Sequence, residues 1–396
     1  MPPAPTTKGA TSPRHRRLAR YLPGPLRRSL GELPGMWRLR RWLDERPQGP
    51  VPGSDELRPV VCLPTWSRWG VMQQRPQYLM KAFAAAGHPV YFVDPSGAEP
   101  RIMDGVQVVP SLASVPGRHA ILYVHFAPLR GLFDRFEDPV IVYDIYDDLS
   151  IFEADEVDLP DERRVGSHHT EVLDRADLVL VSHPLIADRH GGEVRDLLII
   201  ENGVDPENFS KDSDRPSDFP VTNGPVVGYH GMLSHWFDFD MLEAVAQLRP
   251  DWAFVLVGPH DSRVADRVKA LEALPNISLV GERRSDEIAS YVRQFDVGAI
   301  WFQVNDLTRA VNPLKMYEYL AAGIPVVATP LPACADRVGV RTAGDPASFV
   351  FALSQAVEVD AADPASLIEE AERASWDRRL APALEWLDER GLRRVP

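Results

Sequence analysis

Two successive doubly wound α/β domains, facing each other across a cleft, are the fold the sequence predicts, and three observations predict it. Short β-branched apolar runs lack polar alternation and are separated by helical stretches, the pattern of parallel sheets covered on both faces. That rhythm stops once, in the Pro/Asp/Ser-rich SKDSDRPSDFPVTNGP at 210–225, and then restarts. The length of 396 residues and an apolar content of 44% suit two ordinary cores.

Residues 1–57 are rich in Pro and Arg and read as a largely disordered basic arm. Within it Met36, Leu39 and Leu43 share a helical face beside Trp42, while Arg38, Arg40 and Arg41 project elsewhere. Such a segment suits an anionic membrane surface, or else a solvated tail whose apolar residues pack on the body. Strand PVVCLP (59–64) opens the first domain, 58–210, and a helix covers 75–87. Strands follow at 89–94, 119–124 and 139–144, then a helix over 162–175, a strand at 177–182, a short helix and a strand at 196–202. The second domain, 211–375, begins with strand 225–230, a helix from 238 onward, strand 252–258 and a helix over 261–272. Strand 277–281, a helix over 285–293 and strand 296–302 come next. The stretch NPLKMYEYLAAGIPVVAT (312–329) supplies a further helix and a strand at 324–329. A mainly helical end covers 345–390, and 376–396 is expected as a terminal helix able to cross back to the first domain. Ligands of doubly wound folds bind at the carboxyl ends of the strands, so two such sheets predict one deep cleft.

Charge and cysteine usage exclude several classes. The net charge of −14 is uneven: residues 1–50 hold eleven Lys/Arg against three Asp/Glu, leaving −22 on the remainder. An acidic body argues against nucleic-acid binding. Cys62 and Cys334 lie far apart in apolar stretches with no CxxC spacing, which reads as two buried thiols in a reducing cytosol. No run of about 18 apolar residues is present, so no membrane-spanning helix is expected. The basic N-terminus lacks the apolar core of a signal peptide. The expected place is the cytoplasm, with the arm offering peripheral attachment at the inner face of the cell membrane.

The 312–329 stretch raises a question of electrostatics. Asn312 suits an N-cap, Pro313 the first helical position and Gly323 a stop, giving a helix of about ten residues. Leu314, Tyr317 and Ala321 share a face expected to pack on the sheet, with Lys315 and Glu318 on the neighbouring face at the cleft edge. A cation in the first turn opposes the helix dipole. An anion bound by the free backbone N–H groups would reverse that term, so the helix start with Lys315 reads as a phosphate or diphosphate site. Glu318, one turn on, can accept two hydrogen bonds from the vicinal diol of a ribose. The pair reads either as a nucleotide-diphosphate clamp or as an i,i+3 surface ion pair, whose Lys-before-Glu order is the weaker one.

The segment NPLKMYEYLAAGIPVVATPLP resembles the donor-binding segment of GT-B glycosyltransferases near glycosyltransferase family 4. RPQYLMKAFAAAGHPVYFVDP (75–95), YDIYDDLSIF (143–152), ADLVLVSHPL (176–185), ENGVDPENF (201–209) and GYHGMLSHWFDFDML (228–242) resemble a bacterial envelope-polysaccharide branch of that family, in family order. The resemblance spans most of 58–390. It implies a GT-B fold, a nucleotide diphosphate sugar (UDP-sugar first) as donor substrate, no cofactor, no catalytic metal, and retention at the anomeric carbon. One departure stands out: the family pattern places a Glu eight residues before the second Glu, and here that position is Ala310. Inversion, with an Asp from 144–148 as base, therefore stays open. The stretch after Gly231 also lacks the family's Arg…Lys pair, which leaves Lys315 as the main phosphate cation.

Other candidates follow from position. Gly231, after a strand, either lets backbone amides approach the donor or makes a tight turn. With Asn312, Pro313, Leu314, Lys315 and Glu318 it completes the expected donor site. Asp238-Phe239-Asp240 is a literal D-x-D, but Asp238 sits where an N-cap is expected, so no metal site is assigned. The loop TWSRWGVMQQRPQ (65–77) follows the first strand. Its Trp66 and Trp69 suit stacking on an acceptor sugar, and Arg68, Gln74 and Arg75 suit hydrogen bonds to hydroxyls or a lipid phosphate; a packed loop is the alternative. His125 ends a strand and reads as a sugar contact or a satisfied buried histidine. Asp144, Asp147 and Asp148 cluster after another strand, as a raised-pKa proton acceptor or as solvated loop acids. Asn202 and Asp205 are expected to line the hinge. The functional expectation is a glycosyltransferase acting on a saccharide or lipid-linked acceptor in envelope polysaccharide or glycolipid synthesis. A sugar-nucleotide epimerase of the same architecture and a non-catalytic sugar-nucleotide-binding protein are the alternatives.

Overall fold

The computed structural model describes residues 45–64, 69–70, 73–94, 99–146, 162–192, 194–210, 214–222, 224–359 and 363–396. The basic segment around Trp42 lies outside them. Two sheets organise the chain. The first contains β1 (Val60–Cys62), β2 (Val90–Val93), β3 (Arg101–Met103), β4 (Val106–Val109), β5 (Ile121–Val124), β6 (Val140–Ile145), β7 (Leu178–Val181) and β8 (Leu197–Ile199), in the order β3-β4-β2-β1-β5-β6-β7-β8. The second contains β9 (Val226–His230), β10 (Ala253–Val257), β11 (Ile277–Gly281), β12 (Val297–Ile300), β13 (Val326–Ala328) and β14 (Val340–Thr342), in the order β11-β10-β9-β12-β13-β14. Every neighbouring pair is parallel except β3 with β4.

The non-alternating strands are explained by what covers them. Along β1 and the residue that follows it, Val61 and Leu63 join one apolar cluster while Val60 and Cys62 join another on the opposite face. Both faces are dry, so both side-chain sets are apolar. The second cluster also takes in Trp376, Leu380, Ala383, Trp386 and Leu387 from the terminal helix Trp376–Glu389. That helix thus packs on the first lobe, beside the helix Arg75–Ala85, with Tyr78 stacked on Trp376 at 5.3 Å. Each such buried side chain contributes roughly 1.5–3 kcal/mol. The second lobe has its own cluster around Val227, Val255, Ala299 and Val327.

Three strands escape the sequence reading. β3 and β4 form a short antiparallel hairpin at one edge, turned by Asp104 (φ 51°) and Gly105 (φ 78°). Asp-Gly is a strong hairpin signal, but three- and four-residue flanks are too short for periodicity to register. β14 is a three-residue edge strand with the same difficulty. Cys62 and Cys334 are buried free thiols. Among the described residues, no helix is long and apolar enough to cross a membrane.

Candidate functional site

The helix of the 312–329 stretch runs Leu314–Ala321. Its N-cap is Pro313, not Asn312, and it has eight residues rather than about ten. Pro313 has no side-chain acceptor to offer: the Met316 N–H donates to its backbone carbonyl at 3.2 Å, while those of Leu314 and Lys315 receive no side-chain cap from it. Gly323 ends the turn at φ 73°. Tyr317 and Ala321 enter the second lobe's core as expected, but Leu314 does not: it packs against the first lobe's cluster. Leu314 is a docking residue between lobes, and sequence spacing alone gave no means of separating the two destinations.

Lys315 projects toward the end of β9. Its Nζ lies 5.0 Å from the Tyr229 ring centre and 4.8 Å from that of Phe302. A Cβ added to Gly231 would stand 3.3 Å from Lys315 Cε and 3.4 Å from Nζ. Among the described residues the ammonium has no carboxylate within ion-pair reach. Two aromatic faces replace water weakly, by about 2 kcal/mol at best when desolvated. Burial accordingly pushes the lysine down to about 8, with Glu318 and Cys334 opposing the shift.

Glu318 is 7% exposed. Its Oε2 lies 3.0 Å from His230 Nε2. The approach is close but off the line of a good hydrogen bond, since that nitrogen has no properly aligned partner. His230 itself ends β9, and its backbone N–H donates to the Tyr319 hydroxyl at 3.1 Å. Sequence reading missed His230; its place directly before Gly231 at a strand's carboxyl end was the available signal. From the other lobe, Tyr78 approaches the same carboxylate. Burial pushes the Tyr78 phenol well above its ordinary value, and Glu318 adds to the shift.

Gly231 adopts φ 124°, and its N–H donates to the Val257 carbonyl at 2.9 Å. Gly258, at φ 147°, closes against it: a Cβ there would sit 2.1 Å from the Gly231 oxygen. The turn beside Lys315 is therefore held by two glycines, of which the sequence reading named one. Gly258→Ala is expected to destabilise the second lobe by about 2 kcal/mol or more, read as a lowered melting temperature.

The residues expected to hold the acceptor are placed differently. Arg75 is 1% exposed and Asp144 1% exposed. Arg75 Nε lies 3.0 Å from Asp144 Oδ1 and 2.8 Å from Oδ2, and Nη2 lies 2.9 Å from Oδ1. The Tyr123 hydroxyl also donates to Oδ2. Both carboxylate oxygens are bound, and the carboxylate and its guanidinium are shut away from solvent, where an acceptor sugar does not reach them. Both expectations are corrected: the two residues form a structural pair. Trp69 is 4% exposed and edge-on to Phe92 at 5.0 Å, so it belongs to the core rather than to a stacking platform. Gln74 closes a capping box with Gln77 at the start of the Arg75–Ala85 helix. Trp66, Arg68, Asp147 and Asp148 lie outside the described residues.

His125 follows β5, buried, with neither ring nitrogen bonded among the described residues. Its ring lies 5.6 Å from that of Tyr146. Burial pushes it down to about 4, against the pull of Asp144, so it is neutral near pH 7 and can donate from one nitrogen and accept at the other. Asp238 caps its helix as expected, accepting from the Met241 N–H at 2.9 Å. Asn202 sits at the seam between lobes, donating to the Asn312 carbonyl at 2.6 Å, and Asp205 accepts from Asn208 at 2.8 Å.

Comparison with known proteins places this geometry. Residues 224–359, which include Gly231, Lys315 and Glu318, match the family described as glycosyl transferases group 1. TuaH of Bacillus subtilis (strain 168), whose name gives it a glycosyltransferase role in teichuronic acid biosynthesis, is 29% identical over 229 residues. That match spans 56% of this chain and 58% of the relative. Sucrose-phosphate synthase from Thermosynechococcus elongatus is similar in structure with a TM-score of 0.61 at 15% identity, covering 84% of this chain and 99% of that one. Anabaena HepE, solved in complex with UDP and glucose, gives 0.60 at 17% identity, covering 84% and 100%. The fold is GT-B, and the chain resembles group 1 glycosyltransferases.

Proposed function

We propose that this GT-B chain is a glycosyltransferase of the group 1 type. It moves a sugar from a nucleotide diphosphate sugar, a UDP-sugar first, to a saccharide or lipid-linked acceptor in envelope polysaccharide or glycolipid synthesis. The observation that carries the proposal is Lys315: an ammonium at a helix start, beside the Gly231 turn, resting on two aromatic rings and, among the described residues, on no carboxylate. A diphosphate supplies the missing counter-charge. Glu318, one turn on, takes the ribose diol. The role given to TuaH by name and the UDP and glucose bound to HepE support this direction.

As the glycosidic bond to the diphosphate breaks, negative charge grows on the leaving oxygen. Lys315 and the uncapped helix amides stabilise that charge more than they stabilise the intact donor, which lowers the barrier. Burial strengthens the effect by excluding water. His125, neutral and with both nitrogens unbonded among the described residues, suits a hydroxyl of the transferred sugar or of the acceptor. Asp144 is occupied by Arg75, so an inverting route would draw its base from Asp147 or Asp148. The basic arm suits attachment to an anionic membrane surface near a lipid-linked acceptor.

The test is a screen of nucleotide sugars for binding, followed by nucleotide release with and without envelope lipid extracts. Release that requires the extract is expected. Conversion of the donor without an acceptor would instead identify an epimerase, and binding without release a sugar-nucleotide-binding protein. A pH series adds a second check. Diphosphate binding favours the charged lysine, whose free-state value is about 8. UDP affinity should therefore be level between pH 7 and 7.5 and fall by up to about tenfold per unit above 8, and Lys315→Arg should flatten the curve.

A further inference from the structure

The seam between the lobes contains a buried hydrogen-bond chain that the proposed chemistry leaves unused. It starts at Asp144 on β6, which holds Arg75. Arg75 Nη1 donates to Asn202 Oδ1 at 3.2 Å, and Asn202 Nδ2 donates to the Asn312 carbonyl at 2.6 Å. All four residues are 7% exposed or less. The chain thus joins the first lobe's sheet to the residue before the Pro313 cap, and Lys315 lies two positions beyond that cap.

Asn202 is chemically particular at this place. An amide offers an acceptor and a donor on one planar group, and here it uses the acceptor toward a guanidinium and the donor toward a carbonyl. An aspartate of the same shape could serve only the guanidinium; an apolar residue could serve neither. Polar chains of this kind carry a desolvation cost, and well-packed apolar residues are often as stable or more so. A seam that needed only cohesion would have no use for one. What the chain adds is register: its far end is a backbone carbonyl at the start of the helix that carries the ammonium. Leu314, packed on the first lobe's cluster, fixes the same helix start from a second direction.

We infer that Asn202 is a positioning residue for Lys315, setting the Leu314–Ala321 helix against the Arg75–Asp144 pair so that the ammonium meets the diphosphate only when the lobes are docked. This rests on the donor-site reading above and adds a residue that touches no ligand. A misplacement of about 1 Å at such a group is enough to cost up to a hundredfold.

The test uses Asn202→Asp in the full chain. This variant keeps size and the acceptor for Arg75, removes the donor, sets an oxygen against the Asn312 carbonyl and adds a negative charge, whose direct repulsion of UDP would persist without Lys315 and so show as additivity in the double variant. Binding of UDP and of uridine is measured calorimetrically for the native protein, Asn202→Asp, Lys315→Ala and the double variant. Asn202→Asp is expected to weaken UDP about tenfold and uridine by less than about twofold, with the double variant within about twofold of Lys315→Ala alone. A purely structural role would lower the melting temperature and weaken both ligands alike. Native UDP affinity in Asn202→Asp, equal losses for UDP and uridine, or a fully additive double variant would each overturn the inference while Lys315→Ala still weakens UDP. If Lys315→Ala leaves UDP unchanged, the donor-site reading fails and takes the inference with it. Asn202→Ala, measured in the same way, replaces the aspartate variant should that one not fold.

Discussion

Lys315→Ala should weaken UDP by about 2–3 kcal/mol, roughly 30- to 160-fold, while uridine loses less than about twofold. The asymmetry comes from where the ammonium sits. It rests on Tyr229 and Phe302 near the Gly231 turn and has no described carboxylate partner, so its interaction with a bound diphosphate is not diluted by an existing ion pair. The truncation leaves the two rings and the helix in place. Uridine lacks the phosphates, and its ribose is proposed to bind Glu318 rather than Lys315, so it should barely respond. Calorimetry with both ligands checks this directly; equal losses would show that the site had collapsed and that Lys315 has no diphosphate-specific role.

The second large effect concerns stability. Asp144→Ala should destabilise the first lobe by about 3–5 kcal/mol, because it leaves the Arg75 guanidinium buried and uncompensated. Tyr123 would lose its acceptor as well. Replacing both charges together, with Arg75→Met and Asp144→Leu, should recover much of that loss, since the pair's desolvation is removed along with its attraction. Thermal melts of the single and double variants separate this from a catalytic role. A catalytic base would show the opposite pattern: nearly native melting and lost turnover in Asp144→Asn.

These two residues mark where local reading succeeds and where it stops. Lys315 and Glu318 are three apart in one helix, and helical geometry alone puts them side by side. Pro313, Gly323 and the clash of a cation with the helix dipole are equally local. Arg75 and Asp144 are 69 positions apart, and Asn202 and Asn312 110 apart. A loop arginine after a strand offers the same local signature whether it points into the cleft or under it. Trp69 shows the same ambiguity: nothing in TWSRWG distinguishes a stacking platform from a ring pressed edge-on to Phe92.

The sequence by itself determined the alternation of strand and helix, the largely parallel character of both sheets, and the juxtaposition of an ammonium and a carboxylate at one helix start. Each depends on periodicity or on spacing within a few residues, which the chain carries regardless of its surroundings. Only the tertiary structure decided that Arg75 and Asp144 neutralise each other, that Leu314 leaves its own lobe to pack on the other, that His230 and Tyr78 converge on Glu318, and that Asn202 links the lobes. Those outcomes follow from strand register and lobe docking, where a shift of a few ångströms exchanges one partner for another while leaving every local pattern unchanged.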